Sequence, residues 1–205
     1  MTSKERRQAL YDYDLALWRA GARFAGIDEA GRGPLAGPVV AACVVFPPAA
    51  VIIDFIDDSK KLSEKRREEV FGEIYRRAEF VSVGQVEAEE IDRINILEAT
   101  RLAMRRAALG APAPLFLIDA VKDLGLEGSE RPIIHGDAVS YSIAAASIIA
   151  KVTRARLVRA LDARYPGYGF ARHKGYGTAE HMQAIRELGM CPEHRRSFLK
   201  NLSLQ

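Results

Sequence analysis

Two adjacent carboxylates, Asp28 and Glu29, close an apolar run that begins at Phe24 and leads into a glycine-rich turn, Gly31-Arg32-Gly33-Pro34. A dry core excludes charge unless the charge is paired or binds a metal. The two acids must therefore stand at the rim of the core, at an element end, beside something cationic. Gly31 and Gly33 carry no Cβ, so the backbone that follows can approach a ligand closely. A fold for this chain has to put a buried strand, two acids and an open turn side by side.

The 205 residues fit one domain, 1–205, with room for a sizeable core. No stretch is long and apolar enough to span a bilayer, which predicts no membrane contact. The charged first residues lead into no signal-peptide core, which points to the cytoplasm. Cys43 and Cys191 are far apart, show no metal-ligand spacing and read as reduced thiols. The net charge of +3 is unevenly spread: 151–205 carries 11 Lys/Arg against 4 Asp/Glu, and the remainder is net acidic. A basic C-terminal part suits a polyanion and an acidic front part suits metal ions. On charge alone, a solvated basic helix is the preferred reading.

Periodicity and punctuation predict an amphipathic helix over 3–20 and buried strands over 23–28 and 37–46, the second stopped by Pro47-Pro48. Ser63 caps a helix to 78, and 80–86 alternates as a third strand. Asn95 and Glu98 form a capping-box pattern for a helix to 109. Short strands follow at 115–118 and 132–135. A long helix over 140–164 is closed by Pro166-Gly167, and helices near 178–188 and 193–201 finish the chain. The order predicts an α/β domain with a mixed sheet. The first two strands, joined by a tight turn, should be antiparallel, and the later ones, separated by helices, parallel.

The segment 31–37 has the glycines of a dinucleotide fingerprint, but the third is one residue late and a strand follows instead of a helix, so that reading is rejected. Taken alone, it is a plain hairpin turn. Asp119 ends an apolar strand, where α/β folds place ligands, although Asp is also a common turn residue. Asp137 and Asn95 both read equally well as helix caps. The set is more informative than its members, because Asp28, Glu29, Asp119 and Asp137 all lie at strand ends or helix starts. Four carboxylates in one site repel and need divalent cations to stay ionised. An all-oxygen site suits Mg²⁺ or Mn²⁺, and two such ions about 4 Å apart can clamp the attacking and leaving oxygens of a phosphodiester. The segment 165–178 interleaves aromatic, basic and glycine residues, as in single-strand nucleic-acid binders, though a loop over a core edge has the same composition. His135, His173, His181 and His194 show no zinc spacing; they read as polar or structural, with His173 near substrate.

These motifs resemble the ribonuclease HII family. The resemblance is carried by Gly26-Ile27-Asp28-Glu29-Ala30-Gly31-Arg32-Gly33-Pro34 and its continuation to Val39, by the runs 57–63 and 117–120, by Gly136-Asp137 with 142–154, and by 173–178 and 194–198. It covers nearly the whole chain in order. It implies a ribonuclease H-like fold, a mixed five-stranded sheet flanked by helices, with extra C-terminal helices from about 165 binding substrate. It implies hydrolysis of RNA in RNA–DNA hybrids and cleavage at single ribonucleotides in duplex DNA, and the expected state is a monomer. Asp28, Glu29, Asp119 and Asp137 match the metal-holding, catalytic positions, and Gly31, Arg32 and Gly33 those that sense the ribose 2′-OH. Tyr176 matches the residue that stacks on the adjacent deoxyribose. Lys60, Asn95, Ser147 and Lys151 are further candidate substrate contacts. Ala155 stands where relatives usually have Asp, and Met190-Cys191 where Pro-Thr is usual. Type HIII enzymes usually carry an extra N-terminal domain and lack the Arg of the turn, so Arg32 favours HII. The alternative is another metal-dependent nuclease or strand transferase of the same fold. It would share the acids but not the Gly31–Gly33 turn together with Tyr176.

Overall fold

A computed structural model describes residues 2–56 and 62–200. The elements are α1 (Ser3–Arg19), β1 (Phe24–Ala30), β2 (Val39–Val45), α2 (Glu64–Arg77), β3 (Phe80–Val86), α3 (Ala88–Ile94), α4 (Ile96–Ala108), β4 (Leu115–Asp119), β5 (Ser129–Ile133), a 3-10 turn (Gly136–Ala138), α5 (Tyr141–Arg164), α6 (Phe170–His173), α7 (Ala179–Leu188) and α8 (Arg196–Leu199). The strands form one mixed five-stranded sheet in the order β3-β2-β1-β4-β5.

The pleat sorts the side chains of β1 and β2 into two layers. Phe24, Ala42 and Val44 face a cluster completed by α1, α2 and α5. Ala25, Ile27, Ala41, Cys43 and Val45 face a cluster completed by α3 and α4. On the first face α5 crosses β1 so closely that a Cβ at Gly26 would overlap the backbone of Ser142 and Ile143. The start of α5 is fixed by α1: the buried Asp14 accepts hydrogen bonds from Ser140 Oγ (2.7 Å), Ser142 N (2.8 Å) and Ser142 Oγ (2.6 Å). Burial raises the Asp14 carboxyl to about 6, against the pull of these donors.

β1 and β2 are antiparallel as expected, and β4 and β5 pair in parallel beyond β1. One expectation fails: β3 is antiparallel to β2, not parallel. The excursion through α2 returns to the strand end it left, where Glu79 N donates to Val45 O at 2.8 Å. A helix between strands dictates a parallel pair only when it carries the chain back to the opposite end. The link between β1 and β2 is a long loop, not the tight turn expected. The predicted helix from 95 is preceded by an unanticipated one, α3. Asn95, at φ 68°, ends α3 and caps α4, its Oδ1 accepting from Leu97 N and Glu98 N at 2.9 and 3.1 Å. The last strand lies at Ser129–Ile133, earlier than predicted; Pro132 is accommodated because β5 is an edge. The final helix is only Arg196–Leu199.

Gly26→Ala should destabilise the protein by about 3 kcal/mol or more, because the added methyl meets backbone that cannot rotate away. Urea unfolding of the variant measures this, and a loss under about 1 kcal/mol would mean that α5 can ride higher on β1.

Candidate active site

Asp28 lies near the end of β1 in the register of Phe24 and Gly26, under α5, and is buried. Its carboxylate accepts from Glu29 N at 2.7 Å and is hydrogen-bonded by the buried Ser147 of α5. Lys151, one helical turn on, donates to Ser147 Oγ at 2.7 Å. Lysine charge thus reaches Asp28 through a hydroxyl. Asp119 ends β4, beside β1 in the sheet, and accepts from Gly136 N at 2.6 Å. That bond ties β4 to the 3-10 turn that carries Asp137.

The acids act on one another. Burial pushes Asp28 well above the usual carboxylate range, and the neighbouring charges of Glu29 and Asp119 push further. Burial also raises Glu29, with Arg32 opposing and Asp119 adding to the shift. Asp119 is raised by burial and by Asp137, against the Gly136 amide. Glu29 Oε1 pairs with Arg32 at 3.3 Å, while Glu29 Oε2 is buried with no hydrogen-bond partner. Such an orphan acceptor is costly in a protein interior unless a cation meets it. Among the described residues no three acid, His or Cys groups are already closed into a metal cage. The donor set fits a hard divalent cation: all-oxygen, raised in pKa, and with one oxygen unsatisfied.

The turn after β1 is held from behind by two guanidiniums. Arg195, fully buried, donates to Gly31 O (2.7 Å), Arg32 O (3.0 Å), Pro34 O (2.9 Å) and twice to Gly37 O (3.0 and 2.8 Å). Arg154, also buried, donates to Pro38 O, Ala36 O and Lys174 O at 3.0, 3.1 and 3.1 Å. Burial lowers Arg195 to about 9 and Arg154 to about 10, so both stay cationic at neutral pH. The carbonyls of the turn are thereby turned inward. Gly31, at φ 95°, is forced twice over, since a Cβ there would also strike Arg154. A Cβ at Gly33 would lie 3.7 Å from the Tyr176 ring, so the turn and the half-exposed tyrosine are neighbours.

A stack of buried histidines shapes the segment that carries Tyr176 and Arg195. Cys191 N donates to His194 Nδ1 at 2.9 Å, so the His194 proton sits on Nε2 and faces His181 Nε2 at 3.1 Å. His181 then carries its proton on Nδ1, toward Tyr176 O at 2.9 Å. His173 lies over His181 with ring centroids 4.3 Å apart, and its Nδ1 accepts from Gly175 N. One neutral tautomer of each ring satisfies the whole chain.

The expected site residues are thus partly assembled. Asp28, Glu29 and Asp119 share one field, and Asp137 adjoins Asp119. Gly31, Gly33 and Tyr176 adjoin each other, with Arg32 on Glu29. Ser147 is buried against Asp28 and Lys151 backs it. Asn95 is exposed, with its carbonyl oxygen engaged in capping α4. Lys60 lies outside the described residues. Arg154 and Arg195 were missed as site residues. The signal for Arg154 was its place on the apolar stripe Ala150–Arg154–Val158, all three of which are buried.

Acids gathered near the ends of the interior strands β1 and β4, beside a loop of aromatic and basic residues, fit a nuclease of ribonuclease H-like fold. Comparison with known proteins agrees. The family model for ribonuclease HII matches residues 25–201. A ribonuclease HII from a Geobacter species is 54% identical over 185 residues, covering 89% of this chain and 80% of that one. The structure of the PCNA:RNase HII complex from Archaeoglobus fulgidus aligns with TM-score 0.72 at 27% identity, covering 89% of this chain and 96% of that one. Bst-RNase HIII in complex with Mn²⁺ shares the fold, with TM-score 0.57 at 18% identity over 86% of this chain and 64% of that one. The chain belongs to the ribonuclease HII family. It is a ribonuclease H, a divalent-metal-dependent hydrolase acting on RNA–DNA substrates.

The histidine stack sets an acid limit. Burial holds His181 down to about 4, below its ordinary 6.5. Stability from this group is complete above pH 6.5 and is lost as the pH falls toward 4, by about 2–3 kcal/mol at pH 4.5. Urea unfolding at pH 7 and 4.5 should show that difference shrinking by more than about 1 kcal/mol in His181→Phe. An unchanged difference would place the acid sensitivity elsewhere.

Proposed function

We propose that Asp28, Glu29, Asp119 and Asp137 hold Mg²⁺ or Mn²⁺ and that the chain cuts the RNA strand of RNA–DNA hybrids and single ribonucleotides embedded in duplex DNA, leaving 5′-phosphate and 3′-hydroxyl ends. The observation that carries this is the orphaned, buried Glu29 Oε2 inside a field shared with Asp28 and Asp119, directly before the Gly31–Gly33 turn. When bound, divalent cations supply the Lewis acidity that activates water and stabilises the leaving oxygen.

The chain's own residues do the rest. Ser147, backed by Lys151, orients Asp28 and favours its ionised form. The Gly136 amide does the same for Asp119. Arg195 and Arg154 turn the carbonyls of the 31–37 loop inward, so that its N–H groups can meet the ribose 2′-OH, the group that distinguishes RNA from DNA. Tyr176 packs its exposed ring on the neighbouring deoxyribose, where a further hydroxyl would be crowded. Ser147 and Lys151 thus also support the acids from behind, besides being candidate substrate contacts. Ser147, the serine with a lysine on its hydroxyl, is buried and spends that hydroxyl on Asp28, which supports direct attack by water. The chain works as one domain and a monomer, in the cytoplasm.

Asp119→Asn should lower cleavage of a duplex with one ribonucleotide more than a hundredfold while the fold is kept, since Asn retains an oxygen for Gly136 N. The same change should raise the Tm of the metal-free protein, because one of several mutually repelling acids is gone. Retained metal-dependent cleavage would refute the assignment. Tyr176→Ala should lower cleavage at single ribonucleotides about ten- to a hundredfold, the worth of one stacking contact, with a smaller loss on an all-RNA strand in a hybrid. Equal losses on both substrates would move junction recognition to Arg32 and its glycines.

A further inference from the structure

Beside the acids, a pocket of about 360 Å³ runs from Glu29 and Gly31 to Tyr176. Its walls bring together four cations from three separate segments: Arg67 of α2, Lys151 and Arg154 of α5, and Lys174 between α6 and Tyr176. Glu29 is the one acid among the lining residues, and it belongs to the metal-binding set. Ala155 lines the pocket too and brings no charge of its own.

The cations are not equivalent. Arg154 is engaged by three backbone carbonyls, and Lys151 Nζ by Ser147. Arg67 Nε donates to Leu62 O at 3.1 Å, which fixes the root of its guanidinium, and the residue lines the pocket. Lys174 sits in the left-handed region, φ 55° and ψ 31°, where a non-glycine residue is uncommon. Its backbone is pinned on both sides, the amide to Phe170 O at 2.8 Å and the carbonyl by Arg154. Strain of this kind persists where the surroundings over-determine it. Among the described residues the Lys174 ammonium has no carboxylate partner. Instead burial and three cations, Arg67, Arg159 and Arg154, pull its pKa down. Arg159 is itself paired with Glu64, so Arg67 and Lys174 remain as like charges facing one space. Like charges are held together at a cost that an incoming anion removes.

We propose that this pocket holds one backbone phosphate of the nucleic acid, a neighbour of the phosphate being cut, gripped by Arg67 and Lys174. The inference rests on the nuclease reading above. The same pocket is lined by Glu29 of the proposed metal-binding set and by Tyr176, which puts the phosphate close to the cleavage point. A phosphodiester fits because it is a compact monoanion with two free oxygens, one for a guanidinium edge and one for an ammonium. The contact reads no base, so it adds grip and register without sequence preference.

The test uses the full chain carrying Asp119→Asn, which binds without cutting, and a labelled duplex with one ribonucleotide. Binding is measured by anisotropy across a salt series for this parent and for Arg67→Gln, Lys174→Gln, both together, and Ala155→Asp added to it. Each glutamine variant should weaken binding and lower the slope of log Kd against log salt by about one. The double variant should lose little more, because both side chains meet one phosphate. Ala155→Asp should also weaken binding, by offering an internal anion; its small side-chain change keeps the test open if a glutamine variant melts early. A methylphosphonate is then stepped through the positions flanking the ribonucleotide on each strand. One position should cost the parent affinity and cost the double variant nothing further. Unchanged salt slopes together with an unchanged methylphosphonate profile would overturn the phosphate pocket while leaving the nuclease reading intact. A wild-type chain that fails to cut the same duplex in Mn²⁺ would overturn both.

Discussion

The crossing of α5 over β1 is the contact on which the site depends. Gly26 lets the helix backbone rest directly on the strand, two residues before Asp28. From that fixed height the helix delivers Ser147 to Asp28, Lys151 to Ser147, and Arg154 to the loop beyond. Asp14 of α1 sets where the helix begins, through three hydrogen bonds from Ser140 and Ser142. Rotating α5 by one residue would carry all three functional side chains off their targets, since neighbours on a helix point about 100° apart. A packing requirement deep in the core therefore controls the electrostatics at the rim.

Two opposite solutions to buried charge lie within a few residues of each other. On one side carboxylates are crowded together with too few donors, and they are pushed toward their neutral form. On the other, Arg195 and Arg154 are buried with no ion pair among the described residues, and backbone carbonyls answer them instead, five bonds to Arg195 and three to Arg154. The first arrangement invites a ligand, and the second is complete without one. That difference separates the reactive part of the site from its frame.

Much of this was legible in the chain. β1, β2 and α5 announced themselves as apolar runs with clear stops, and the acids stood out because charge at the end of a buried strand has few explanations. The direction of β3 was not legible, since it depends on where α2 returns the chain and not on what α2 is made of. α3 was hidden because its N-cap, Glu87, makes no side-chain capping bond, and Asn95 drew attention only to the helix after it. The basic C-terminal part was misleading in detail. Arg154 and Arg195 are consumed by backbone, and Arg156, Arg159 and Arg172 pair with Glu68, Glu64 and Glu180. The charge left to meet a polyanion is a small, placed subset of what composition counts.

The bond between Arg195 and Gly37 joins positions 158 residues apart. Ribosomes add about 5–20 residues each second, so the loop at 31–37 is made roughly ten to thirty seconds before the side chain that shapes it. During that interval the acids of β1 can be present while the carbonyls behind the turn still lack their pin. The geometry of the 31–37 turn is thus among the last things the growing chain acquires. A nascent chain stopped short of Arg195 would carry the acids but lack the guanidinium that orders that turn.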